Sequence, residues 1–95
     1  MLVGDRRYAA QAVDGGERRF FDDVGCMASW FEGRGEEPAH AWVRDAEAAR
    51  WVDVRRARFA PGAKTPMDFG FEAREGGPLG WAEVRERVRA ARRGP

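Results

Sequence analysis

The stretch Tyr8-Ala9-Ala10-Gln11-Ala12-Val13-Asp14-Gly15-Gly16-Glu17-Arg18-Arg19-Phe20-Phe21-Asp22-Asp23-Val24-Gly25-Cys26-Met27-Ala28-Ser29-Trp30-Phe31 decides the fold, because its hydrophobic period changes once along its length. Tyr8 to Val13 alternates small apolar with polar residues, as a half-buried strand requires. Asp14-Gly15-Gly16 then supplies residues that tolerate positive φ, and Glu17 to Phe21 follows as a second extended run, so the spacing predicts a hairpin. After Asp22 and Asp23 the period lengthens. Val24, Met27, Ala28 and Phe31 fall on one side of a helix, and either aspartate can accept from its free first-turn amides. A short helix to about Glu32 is expected.

Downstream, Gly33 to Pro38 is a glycine-rich charged loop, in which Pro38 disfavours helix at the residue before it. Ala39 to Arg44 reads as a strand carrying Trp42 and Val43, and Asp45 to Ala49 as a surface turn or a single helical turn. Trp51 to Phe59 reads as one extended segment with Val52, Val54, Ala57 and Phe59 turned inward, ended by Pro61-Gly62. Ala63-Lys64-Thr65-Pro66 is a loop leading into Met67 to Phe71, a final long strand, before Gly76-Gly77-Pro78 breaks the chain. From Trp81, the residues Trp81, Val84, Val88 and Ala91 form a helical stripe, with Arg85, Arg89, Arg92 and Arg93 near the end where cations suit the dipole. The expected class is α+β: a small, mostly antiparallel sheet with one internal helix and a C-terminal helix over one face.

The chain has 95 residues, which suffices for one apolar core, so residues 1–95 are read as a single domain. Four Trp and six Phe favour a packed fold despite 35% charged residues. Arg18-Arg19 beside Phe20-Phe21, and Arg55-Arg56 with Arg58-Phe59, suggest nucleic-acid contacts, but acids are interspersed and the net charge is only +1. A nucleic-acid partner is therefore disfavoured. No run approaches the roughly 18 apolar residues needed to span a bilayer, and Met1-Leu2-Val3-Gly4-Asp5 does not read as a signal peptide.

One Ser (Ser29), one Thr (Thr65), one His (His40) and one Cys (Cys26) make a thin catalytic inventory. A thiol enzyme would need Cys26 and His40 within hydrogen-bonding reach, and nothing in their spacing joins them. Asp22-Asp23 and Glu36-Glu37 read as capping or solvated pairs, and an enzyme is not expected. Soft donors remain. Copper(I) prefers thiolate and thioether ligands, which directs attention to Cys26, Met67 and Met1, with Met27 assigned to the core. The position of Cys26 near the start of the helix is expected to favour its thiolate.

The order of segments resembles the NosL family, from the first residue almost to the end of the last helix. Met1-Leu2-Val3 followed by Arg7-Tyr8-Ala9-Ala10-Gln11 is similar to the family's strand after its Cys-Gly-Met element, with Met1 in the place of that methionine. Phe20-Phe21-Asp22-Asp23-Val24-Gly25-Cys26-Met27 resembles the entry to its first helix. Ala41-Trp42-Val43-Arg44-Asp45 is similar to its Val-x-Asp strand, and Trp51-Val52-Asp53-Val54-Arg55-Arg56-Ala57 to its Trp-Ile-Asp segment. Thr65-Pro66-Met67 matches its Pro-Met element, and Gly76-Gly77 with Trp81-Ala82-Glu83-Val84 its closing Gly-Gly and acidic helix start.

The resemblance implies a small ββαβ-type fold and a copper(I)-binding accessory role in building the copper centres of nitrous oxide reductase. Met67, Cys26 and Met1 are the implied metal ligands. That enzyme or its membrane assembly machinery is the implied partner, on the periplasmic or extracytoplasmic side behind a lipid anchor. Three departures stand out. The family's cysteine pair before Gly-Met is missing from this sequence, and the interval from Met67 to Gly76 is too short for the helix often found there. Several matching residues are apolar or turn-forming and bear on fold more than on metal. The rival expectation is a metal-free protein-interaction module in which Trp30, Trp42 and Trp81 form a core or a partner-facing patch.

Overall fold

A computed structural model describes residues 8–34, 38, 40–65 and 69–93. Strands β1 (Ala10–Asp14) and β2 (Glu17–Phe21) pair antiparallel, from Asp14 opposite Glu17 to Ala10 opposite Phe21. Gly15 and Gly16, at φ 58° and 85°, make the turn between them, which needs left-handed backbone at both positions. Helix α1 (Val24–Glu32) starts at Asp23, whose backbone is extended and whose carboxylate accepts from Gly25 N–H at 2.8 Å. That bond satisfies one of the amides a helix start leaves free.

Strand β3 (His40–Arg44) lies beside β1, not β2, with Trp42 opposite Gln11. Helix α1 therefore carries the chain past β1, and β1, β2, α1 and β3 form a ββαβ unit. Strand β4 (Trp51–Asp53) pairs with β3 and completes a four-stranded sheet in the order β2-β1-β3-β4, with all neighbours antiparallel. The fold is α+β.

Two expected strands are shorter than the sequence pattern suggested. The run from Trp51 to Phe59 breaks after Asp53, whose side chain accepts from Arg55 N–H while its carbonyl accepts from Arg56 and Ala57 N–H. A short polar side chain here offers the backbone a turn instead of a ladder. Beyond the turn, β5 (Phe59–Pro61) pairs with β6 (Phe71–Ala73) in a separate two-stranded sheet. The expected strand from Met67 to Phe71 keeps only its last residue in β6. Gly70, at φ 86°, donates to Thr65 Oγ1 and closes a loop instead, and residues 66–68 lie outside the described ones.

Alternation divides the four-stranded sheet into two faces. Ala10, Ala12, Ala41 and Val43 face inward and are buried, and their small size lets Val24, Met27, Ala28 and Phe31 of α1 approach closely. Helix α2 (Trp81–Arg93) packs along α1, bringing Trp81, Val84 and Val88 into the same core, with the Trp81 ring edge-on to Phe31 at 5.3 Å. Glu32 clamps the two helices by accepting from Arg85 at 2.9 Å and Arg89 at 2.8 Å. The other face of the sheet carries Gln11, Val13, Arg18, Phe20, His40, Trp42, Arg44 and Trp51, with neither helix over it.

Candidate functional site

Cys26 sits in the first turn of α1, half-buried, as a free thiol. The residue before it, Gly25, is fully buried in this turn because Phe69 occupies the space where a side chain would be: a Cβ on Gly25 would fall inside the Phe69 ring. The loop bearing Phe69 is held shut by two further bonds, Gly70 N–H to Thr65 Oγ1 at 3.0 Å and Ala63 N–H to Gly70 O at 3.1 Å. Phe69 stands two positions after Met67 in the chain. Thr65 and Phe69 flank Pro66-Met67-Asp68 in the sequence, and Phe69 itself packs against the helix turn that carries Cys26. Met67 and Met1 themselves lie outside the described residues.

The electrostatics at Cys26 run against the sequence-based expectation. Burial pushes the Cys26 thiol up from its ordinary pKa, and the carboxylates of Asp23 and Asp22 push it further. A favourable dipole was expected at this position. The acid that caps the helix supplies a full negative charge a few residues away, and the protonated form is favoured. A metal binding here has to displace that proton.

Met27 is fully buried among the core residues, as its helical spacing implied. His40 is exposed on the outer face of β3, stacked on Trp42 with centroids 5.6 Å apart. Cys26 belongs to the helix on the inner face, so the sheet separates the two and they do not form a pair. Asp23 caps α1, and Asp22 lines the cleft on the outer side. Among the described residues, no three His, Cys, Asp or Glu side chains gather as a metal site. No helix of the described residues is long and apolar enough to cross a membrane.

The expected tryptophan cluster divides. Trp81 is in the core, Trp30 packs against it beside Phe21 at 5.6 Å, and Trp42 stands on the outer face. Sequence reading missed that the open face also carries Phe20, 65% exposed, and Trp51, 36% exposed. The signal was present in the alternation of Arg18-Arg19-Phe20-Phe21, which sends Arg18 and Phe20 to one side and Arg19 and Phe21 to the other. Comparison with protein-family models, with curated proteins and with solved structures finds no match to this chain.

Proposed function

We propose that this domain is a copper(I)-handling accessory module of the NosL type, which holds one copper(I) by sulfur ligands and passes it on by ligand exchange. The observation that supports the reading is the packing of Phe69, two positions after Met67 in sequence, on Gly25, the residue before Cys26. Thioether and thiolate are the donors that a soft monovalent ion selects. The resemblance in segment order to the NosL family is consistent with the same assignment, as is the half-buried position of Cys26. Met67 is the first ligand, Cys26 the second and Met1 the third.

Copper is cargo in this reading, and the domain performs transfer, not turnover. Its acceptor is nitrous oxide reductase or the membrane machinery that assembles its copper centres, on the extracytoplasmic side of a membrane. The Cys26 proton leaves when copper arrives and returns when an acceptor's ligands take the metal, so the raised thiol pKa favours release. The rival reading, a metal-free protein-interaction module, draws on the exposed Phe20 and Trp51 and predicts no copper uptake. A competition titration against a chromogenic copper(I) chelator separates the two. Cys26→Ser combined with Met67→Leu is expected to abolish uptake while the far-UV circular dichroism stays unchanged. Unaltered affinity in that double variant defeats the ligand assignment.

A further inference from the structure

Strand β2 ends the four-stranded sheet, and its outer edge is unpaired among the described residues. The phase of the ladder shows what that edge presents. Arg44 N–H donates to Ala9 O, so Ala9, Gln11 and Val13 turn their backbone groups toward β3, and Ala10, Ala12 and Asp14 turn theirs toward β2. Glu17, Arg19 and Phe21 face back to β1. Arg18 and Phe20 therefore point their N–H and C=O groups out of the edge, with Asp22 next in phase. The same three side chains line one cleft of about 500 Å³ on the outer face.

We infer that β2 pairs with β2 of a second copy of this chain, antiparallel about a twofold axis through Phe20, joining two four-stranded sheets into one. The spacing Arg18, Phe20, Asp22 is self-complementary in that register. Phe20 meets Phe20 of the second copy in a hydrogen-bonded pair, and Arg18 meets Asp22 of the second copy on both sides of the axis. On the inner face Arg19, whose guanidinium lies 5.7 Å from the centre of the Trp30 ring, stands opposite Phe21 of the second copy. Directly opposed unlike charges and aromatic pairs stabilise antiparallel strands, and like charges destabilise them.

The charges also select the register. A slip by one step toward the hairpin turn sets Arg19 against Arg19 of the second copy, and two steps set Arg18 against Arg18. A slip of two steps the other way opposes Asp22 to Asp22, and a slip of one step that way sets Asp22 against Phe20 and leaves Arg18 beyond the end of the opposite strand. Pairing stops after Asp22 because Asp23 turns the chain into α1. Charged residues on an edge strand commonly prevent indiscriminate pairing. Here they favour a second copy in the register centred on Phe20, the one that opposes Arg18 to Asp22 on both sides, through the isologous contact a twofold axis requires.

An edge contact of this kind buries less than the roughly 800 Å² per partner of a standard interface, so the dimer is a weak one that forms with rising concentration. Sedimentation equilibrium up to about 1 mM protein is the test, in the range where weak interfaces populate. Wild type is expected to move from monomer to dimer. Arg18→Asp and Asp22→Arg are each expected to weaken the dimer by about tenfold or more, and the two substitutions together to restore it. Amide exchange on wild type provides a readout that depends on no variant: Phe20 N–H gains protection as concentration rises, whereas Arg19 N–H, already facing β1, does not change. A monomer at every concentration overturns the proposal, as does a dimer indifferent to both single substitutions or one in which the Phe20 amide stays unprotected.

Discussion

Asp23 acts on its neighbour Cys26 in a way the sequence alone did not make legible. Position in a first turn suggested a stabilised thiolate, yet the carboxylate that accepts from Gly25 N–H also sets a negative charge beside the sulfur, and burial adds to it. Capping chemistry and thiol chemistry compete at one helix start. At neutral pH, alkylation of Cys26 by iodoacetamide is expected to be slower than that of an unstructured cysteine peptide, and Asp22→Asn is expected to speed it. A rate in the native protein at or above that of the peptide would contradict this cause of the raised thiol pKa. Met27, one residue on, was legible from spacing and is fully buried. Met27→Ala is expected to cost about 2–5 kcal/mol in urea denaturation, the usual range for truncating a core methionine.

Between elements, two contacts determine how α1 is held. Glu32 joins it to α2: the hydrogen bond from Arg89, together with the one from Arg85 and against the opposing effect of burial, holds its carboxyl below the usual glutamate range. A carboxylate with a lower pKa in the folded chain stabilises the fold above its unfolded pKa and loses that contribution as pH falls through the folded value. The urea midpoint of wild type should therefore exceed that of Glu32→Gln near about pH 7, and the difference should shrink as the pH falls below the usual glutamate range and the carboxylate protonates. A difference independent of pH would rule out the ion pair as its source.

The second contact, Phe69 on Gly25, was invisible in the sequence, because nothing in a lone glycine says what occupies the space above it. Gly25→Ala puts a methyl group into that ring and is expected to destabilise by about 1–3 kcal/mol, as overpacking does. On the proposed copper reading it should also weaken copper(I) binding without removing a sulfur, since Phe69 must shift. Unchanged affinity in a folded Gly25→Ala protein would separate Phe69 from the site. The break after Asp53 has a related lesson. Alternating valines suggested one long strand, and the turn won because the Asp53 side chain could bond the backbone ahead of it.

At the scale of the molecule, the hairpin, α1 and α2 were readable because glycines, a capping acid and a 3.6-residue stripe each specify one local answer. The division into two sheets was not, since it depends on contacts far apart in sequence, such as Ala46 N–H to Ala73 O and the carboxylate of Asp45. That carboxylate is buried and accepts from Glu47, Ala48 and Glu75 N–H, linking the end of β3 to the turn after β6. Asp45→Ala leaves three donors without this acceptor and should cost about 1–3 kcal/mol or more. The sulfur donors were legible as residue types, and of the proposed ligands Cys26 alone falls on the described residues.

Copper K-edge X-ray absorption on the wild-type protein loaded with one equivalent of copper(I) tests the proposed sulfur site of Cys26 and Met67 most directly. A first coordination shell made only of sulfur is expected, with its amplitude reduced in Cys26→Ser and again in Met67→Leu. A shell of nitrogen or oxygen, or spectra that neither substitution alters, would contradict it.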